Sequence, residues 1–230
     1  MPQSNNYHNS STPVIVLLGG PGSGKGTHGQ ALATALGYEH LSSGEHFRDH
    51  ISRATPLGRN AAEFIDKGQL VPDELATELV RTMLGDFPSA HGFVLDGYPR
   101  SLAQAEALEK IVSQLDCSVT QALYLDVSDD EILRRLSGRL TCRACGRSFH
   151  ETLNPPSRSG VCDDCKGELF RRADDEPATI RQRIVGFHAS ADPLLEFYRA
   201  KGLLVDIPAE GQAHEVSTRV IDWSKANRAQ

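Results

Sequence analysis

Gly19-Gly20-Pro21-Gly22-Ser23-Gly24-Lys25-Gly26-Thr27 follows the apolar run Val14-Ile15-Val16-Leu17-Leu18 and precedes a stretch of helical character through Gln30, Ala31, Leu32, Ala33 and Leu36. Five consecutive apolar residues, β-branched at Val14, Ile15 and Val16, suit a strand buried on both faces of a sheet. Strand, glycine loop and helix in that order are the setting of a phosphate-binding loop. Without Cβ atoms, successive backbone N–H groups turn inward around an anion at the positive end of a helix, and a lysine adds a full charge. Gly19, Gly24 and Lys25 satisfy the G-x-x-x-x-G-K spacing, but Gly26 occupies the usual hydroxyl position and the hydroxyl arrives one place later, at Thr27. A glycine-rich turn without a ligand is the competing reading, and the flanking strand and helix weigh against it.

The chain has 230 residues, 23% of them charged, and a formal net charge of −6. That length fits one α/β domain with an insertion, or two small domains. An acidic chain is a poor partner for nucleic acid or an anionic membrane, so any positive field must be confined to a site. No apolar run approaches the length of a membrane span, and the polar stretch 1–12 lacks the apolar centre of a signal peptide. The expectation is a cytoplasmic chain with a disordered Ser/Asn-rich tail over residues 1–12.

Further along, Tyr38 to Leu41 reads as a short strand. Ser42-Ser43-Gly44-Glu45 then reads as a helix start, for which capping alone would explain Ser43. Gly92 to Leu95 is another strand, ending in Asp96-Gly97-Tyr98-Pro99-Arg100. Ligands of parallel sheets sit beyond the carboxyl ends of strands, so Asp96 stands where an acid can hold magnesium beside phosphates. Turn chemistry is the plainer explanation of Asp-Gly and Pro; the arginine four places on favours function. Ser101 to Leu115 is an amphipathic helix, Ala122 to Val127 a strand, and Ser128 with Glu131 a capping box. Leu203 to Ile207 reads as the last strand. Val216, Val220, Ile221 and Trp223 line a terminal helix, with fraying expected over 225–230.

Between these elements lie Cys142-Arg-Ala-Cys145 and Cys162-Asp-Asp-Cys165, with Pro155, Pro156 and Gly160 between the pairs. Four thiolates at this spacing describe a tetrahedral zinc site in a segment too small to build its own core. With four sulfurs no position is left for an activating water, so the metal is expected to be structural. Disulfides and a redox pair are the alternatives, disfavoured by compartment and by the doubled motif. Arg143 and Arg147 can offset the excess negative charge, His150 is expected to be surface or packing, and Cys117 a small buried apolar residue.

Taken together, G-x-P-G-x-G-K-G-T from Gly19, D-G-Y-P-R from Asp96 to Arg100, the four cysteines and R-A-D-D from Arg172 to Asp175 resemble the adenylate kinase family with a zinc-bearing lid. The resemblance runs from about Val14 to Ile207. It implies a three-layer α/β P-loop fold with a central parallel sheet, with core segments 13–41, 72–137 and 176–230, an NMP-binding insertion over 42–71 and a zinc lid over 138–175. The implied activity is reversible transfer of the terminal phosphoryl of ATP to AMP, giving two ADP, with Mg2+ and structural Zn2+, in a monomer that binds neither nucleic acid nor membrane.

By the same resemblance, Gly22, Ser23, Gly24, Lys25, Gly26 and Thr27 wrap the ATP phosphates, and Arg139, Ser148, Phe149 and Gly211 complete the ATP site. AMP would meet Ser43, Arg48, Gln69, Leu70, Val71, Gly97, Tyr98, Pro99, Arg100 and Gln104, together with Arg172 and Arg183. Lys25, Asp96, Arg100, Arg135, Arg172 and Arg183 would act on the moving phosphoryl, with Asp174 and Asp175 arranging the arginines and hinges near Gly138 and Asp175. His28 stands where the family often has Gln and is expected to face outward. Ser43 replaces a Thr, and Ile207-Pro208-Ala209-Glu210-Gly211 departs from the family's acid-glycine loop. A kinase for another nucleoside monophosphate or using GTP is the nearest rival; a zinc-ribbon NTPase that binds nucleic acid is the rival from another class, which the acidic balance disfavours.

Overall fold

The computed structural model describes residues 11–226. The expected tail therefore lies outside the described residues except for its last two positions, and so does the end of the expected frayed segment. In chain order the elements are β1 (Thr12–Leu18), α1 (Lys25–Leu36), β2 (Glu39–Ser42), α2 (Ser43–Ser52), α3 (Pro56–Ile65), α4 (Asp73–Gly85), β3 (Phe93–Asp96), α5 (Leu102–Gln114), β4 (Cys117–Asp126) and α6 (Asp129–Ser137). They continue with β5 (Arg139–Cys142), β6 (Ser148–His150), β7 (Leu169–Phe170), a 3-10 turn (Ala173–Asp175), α7 (Pro177–Ala200), β8 (Leu204–Pro208) and α8 (Ala213–Ala226).

Five parallel strands form the central sheet in the order β2-β3-β1-β4-β8. The apolar run of β1 does what its sequence implies: alternate side chains go to opposite faces, and both faces are covered. Val14, Val16 and Leu18 pack with Leu79, Met83, Leu108, Ile111 and Tyr198 from α4, α5 and α7. Ile15 and Leu17 face the other way, onto Leu32 and Ala33 of α1 and Val216 and Val220 of α8. The result is the three-layer α/β core expected from the sequence. Trp223, expected among the inward residues of α8, is instead exposed, while Cys117 is buried as expected.

Two helix starts are built differently from their sequence signals. Ser128 makes no side-chain cap; its hydroxyl and backbone N–H both go to Glu210 Oε1, at 2.6 and 3.0 Å, and Glu131 pairs with Arg134 and Arg135. The capping box is thus displaced by a charged acceptor from a distant loop. Ser42, not Ser43, is the N-cap of α2 and has no side-chain cap bond, which frees Ser43 Oγ to reach Asp96 O at 3.4 Å.

Helices α2 and α3 pack so closely that a Cβ on Gly58 would lie 2.1 Å from His50 O, which only glycine permits. The lid carries its own three-stranded antiparallel sheet, β6-β5-β7. Its core holds only Cys142, Phe149, Cys162 and Leu169, with Leu140 against them. So small an apolar cluster does not hold a segment of this length without a staple.

Candidate active site

The loop after β1 ends at Gly24, whose φ of 95° is the left-handed conformation that starts α1 directly at Lys25. Lys25 Nζ folds back to donate to Gly19 O and Gly20 O at 2.7 Å each and to Ser23 Oγ at 3.3 Å. The loop therefore encircles its own ammonium group. Burial, together with Arg100, Arg183 and Arg139, lowers the Lys25 pKa to about 8 despite the opposing pull of Asp96.

Above this loop lies a cleft of about 1440 Å3. Pockets for one drug-sized molecule usually hold roughly 300–1,000 Å3, so there is room for two such ligands. Every residue proposed from the sequence to meet a nucleotide or the moving phosphoryl lines it except Ser23 and Tyr98; of the two acids expected to arrange the arginines, Asp174 lines it and Asp175 stands behind. Ser23 is buried beneath the loop, and Tyr98 belongs to the core, its hydroxyl engaged with Thr77 Oγ1 at 2.9 Å and Gln104 O at 3.1 Å.

The floor of the cleft is cationic. Lys25, Arg48, Arg100, Arg139, Arg172 and Arg183 interact electrostatically there with four carboxylates, those of Asp96, Asp174, Asp175 and, at Arg48, Glu45. Asp175 takes Arg139 in a two-pronged contact, Nε at 2.7 Å and Nη2 at 2.5 Å, and Arg183 Nη1 at 3.2 Å. Arg183 also meets Asp174 Oδ2 at 2.9 Å, and Arg172 Nε donates to Thr141 Oγ1 at 2.8 Å. Burial first, then mutual repulsion, lowers Arg172 to about 9 and shifts Arg48, Arg100 and Arg183 downward. Burial works against ionised Asp174, but Arg183, Arg139, Arg172 and Arg48 outweigh it and hold its carboxyl below the usual range. Cations so crowded and desolvated form a preorganised anion site, because an arriving polyphosphate relieves repulsion already built into the fold.

Arg135 is not part of that group. Its Nε meets Glu131 Oε1 at 2.6 Å and its Nη2 donates to Ala209 O at 2.9 Å, at the side of the cleft formed by Gly211 and the start of α8. Asp96, at the carboxyl end of β3, accepts from Ser42 Oγ at 3.2 Å through Oδ2, and His40 Nε2 lies 4.0 Å from the same oxygen. Arg100 Nε donates to Gly97 O at 2.7 Å, which turns the guanidinium over the end of the sheet.

His28 contradicts its expected outward orientation. It is 3% exposed, its Nδ1 lies 2.8 Å from Ser217 Oγ on α8, and a Cβ on Gly24 would stand 2.6 Å from its Nε2. Burial, helped by Arg135, lowers its pKa to about 4, so it is neutral near pH 7. Nothing local in the sequence marks His28 or His40 as lining the cleft, since their contacts come from other elements.

In the lid, the Sγ atoms of Cys142, Cys145, Cys162 and Cys165 all lie within 4.8 Å of one another. Cys142 and Cys165 are 3.4 Å apart, Cys145 and Cys162 3.7 Å. Sulfurs bound tetrahedrally at about 2.3 Å from zinc are separated by roughly 3.8 Å, so the group fits that ion. Arg143 and Arg147 do not serve the thiolates alone, being paired with Glu168 and Asp164. His150 lies outside the sulfur group and bonds at the base of the lid, Nε2 at 3.2 Å from Arg134 O.

The adenylate kinase family profile matches residues 17–203. The chain belongs to the adenylate kinase family. Curated relatives named adenylate kinase include one from Caldicellulosiruptor saccharolyticus, 42% identical over 90% of this chain and 96% of the relative. Another, from Geobacillus sp., is 44% identical over 88% and 94% of the two chains, and one from Methanocella arvoryzae is 41% identical over 90% and 95%. Family membership makes the protein an enzyme, a nucleotide-binding phosphotransferase, and the four-cysteine group places it with the zinc-lid type. Among the described residues, no helix is long and apolar enough to cross a membrane.

Proposed function

We propose that the protein catalyses reversible, magnesium-dependent transfer of the terminal phosphoryl group of ATP to AMP, giving two ADP. The observation that carries this reading is the convergence of six cationic side chains with a glycine loop in one cleft large enough for two nucleotides.

The donor's phosphates would lie in the loop 22–27, held by backbone N–H groups and Lys25, with its adenine toward Arg135 and Gly211. The acceptor would occupy the opposite end, its phosphate on Arg48 and Arg100 and its base beside 69–71 and Gln104. Phosphoryl transfer asks little covalent work of the protein: two reactants must be aligned, charge on the equatorial oxygens neutralised, and water excluded. Arg139, Arg172 and Arg183 come from the lid and α7, so lid closure would deliver charge and shut out solvent in one movement. Asp174 and Asp175 hold Arg139 and Arg183, and Thr141 holds Arg172, so that planar guanidinium groups suited to phosphate stand ready. Magnesium, when bound, supplies neutralisation between donor phosphates, and Asp96 is the carboxylate suited to hold its water shell. Zinc on the four cysteines would stabilise the lid fold rather than touch the reaction.

The test is to mix purified protein with ATP, AMP and magnesium and follow ADP, then vary both nucleotides. ADP formation that requires AMP and is lost on replacing Lys25 or Arg100 by neutral residues supports the reading. Hydrolysis of ATP without need of an acceptor, or a clear preference for another base, refutes it.

A further inference from the structure

Asp73 opens α4 after the segment 69–71 and Pro72, and its carboxylate reaches across to the start of α5. Its Oδ1 accepts from Gln104 Nε2 at 2.6 Å. Ser101 Oγ donates to the same carboxylate, 3.3 Å from Oδ1 and 3.2 Å from Oδ2, and accepts from the Gln104 backbone N–H at 3.2 Å. Gln104 is buried, and its Oε1 accepts from the Arg100 backbone N–H at 2.8 Å.

These contacts decide which end of the Gln104 amide is which. A backbone N–H only donates, so it must face the amide oxygen; a carboxylate only accepts, so it must face the amide nitrogen. Reversal would set donor against donor at Arg100 and acceptor against acceptor at Asp73, leaving both ends of the buried Gln104 amide unpaired. Nε2 carries two hydrogens. Asp73 takes one, and among the described residues no acceptor takes the other, on a side chain that lines the cleft. The acceptor end of the cleft therefore offers a fixed donor.

We propose that Asp73 is the positioning residue that sets purine selectivity: it holds Gln104 with an N–H toward the base. This favours adenine, whose ring N1 accepts, over hypoxanthine or guanine, whose N1 carries a hydrogen. It rests on the reading of the cleft given above. Sites built around a directed hydrogen bond discriminate sharply, because the wrong ligand leaves the site's own group unpaired. Asp73 sits where this matters most. It joins the segment 69–71 to the side chain that reads the base edge, so one carboxylate keeps both in register.

The experiment compares AMP with IMP, which differs from it only at the base positions 1 and 6, in the unaltered protein, Asp73→Ala and Asp73→Asn. With Asp73→Ala, KM for AMP should rise about tenfold and the AMP:IMP ratio of kcat/KM fall about tenfold, while KM for ATP stays within about twofold. Asp73→Asn keeps the shape, but its amide can turn either way, so the ratio should fall about threefold; if the alanine variant does not fold, this variant decides. An unchanged AMP:IMP ratio in the folded variants would overturn the inference, as would KM values for AMP and ATP that rise together. Failure of the unaltered protein to phosphorylate AMP would instead refute the proposed reaction, a result distinguishable from normal AMP turnover with selectivity indifferent to Asp73.

Discussion

Replacing Asp175 by Asn tests how the base of the lid is held. Arg139 and Asp175 stand at the two ends of the segment expected to form the lid, so their two-pronged contact ties the entering and leaving chains together, and Asp175 binds Arg183 of α7 as well. The Asp175 side chain is only 4% exposed. Removing one partner of a buried pair costs about 3–5 kcal/mol, because the remaining charges stay buried without compensation. Arg139 and Arg183 are partly accessible, at 16% and 19%, which favours the lower end, about 3 kcal/mol. For a chain of this size that is a fall in Tm of roughly 6–12 °C. The assay is urea and thermal denaturation without nucleotide, repeated with saturating ATP and AMP. Phosphates would supply the missing negative charge, so the gap between variant and unaltered protein should narrow when nucleotides are present. A nucleotide-free variant within about 1 kcal/mol of the unaltered protein would refute the claim that this pair clamps the lid.

Lys25, at about pKa 8 when folded, binds fewer protons than in the unfolded chain between about pH 8 and 10.5, so stability should rise with pH through that window. Polyphosphate should raise the Lys25 pKa again, and calorimetry of ATP binding at pH 9 in buffers of different ionisation enthalpy should show proton uptake; none would contradict the cradle. His28, held near pKa 4, binds fewer protons folded than unfolded between about pH 4 and 6.5, so acidification through that window should cost up to about 3 kcal/mol. His28→Gln should lose that part of the acid sensitivity, and an identical fall in urea midpoint between pH 7 and pH 4.5 for both proteins would count against it. Chelation that removes the lid metal should lower Tm, because four thiolates around so few apolar residues have nothing else to hold them; an unchanged melt after confirmed metal loss would contradict a stapling role.

The parts of this molecule that were legible in the sequence are those whose physics is local. The apolar run Val14–Leu18 with the glycine loop specified a buried strand feeding a helix, and the spacing of four cysteines specified a sulfur site without reference to anything else in the chain. Strand order was not readable in this way, since it depends on which helices cross which face. The same limit explains the errors. Ser128 and Glu131 have the capping spacing, yet Glu210, brought alongside by β8, binds the serine more strongly than a neutral cap would. His28 follows the P-loop threonine and reads as surface, because its partner Ser217 lies on the last helix. Asp73 looks like an ordinary acid in the first turn of α4 until α5 is packed beside it. In each case a long-range partner decided the outcome, and no periodicity encodes that partner.

The proposed reaction requires one cleft to seat two nucleotides end to end. Titrating the protein calorimetrically with two adenosines joined by a chain of five phosphates tests this most directly. One such molecule per chain, bound at least about a hundredfold more tightly than ATP and preventing both ATP and AMP from binding, is the predicted result, because a joined ligand meets both halves for a single loss of freedom. Binding no tighter than ATP, or with AMP still able to enter, would contradict it.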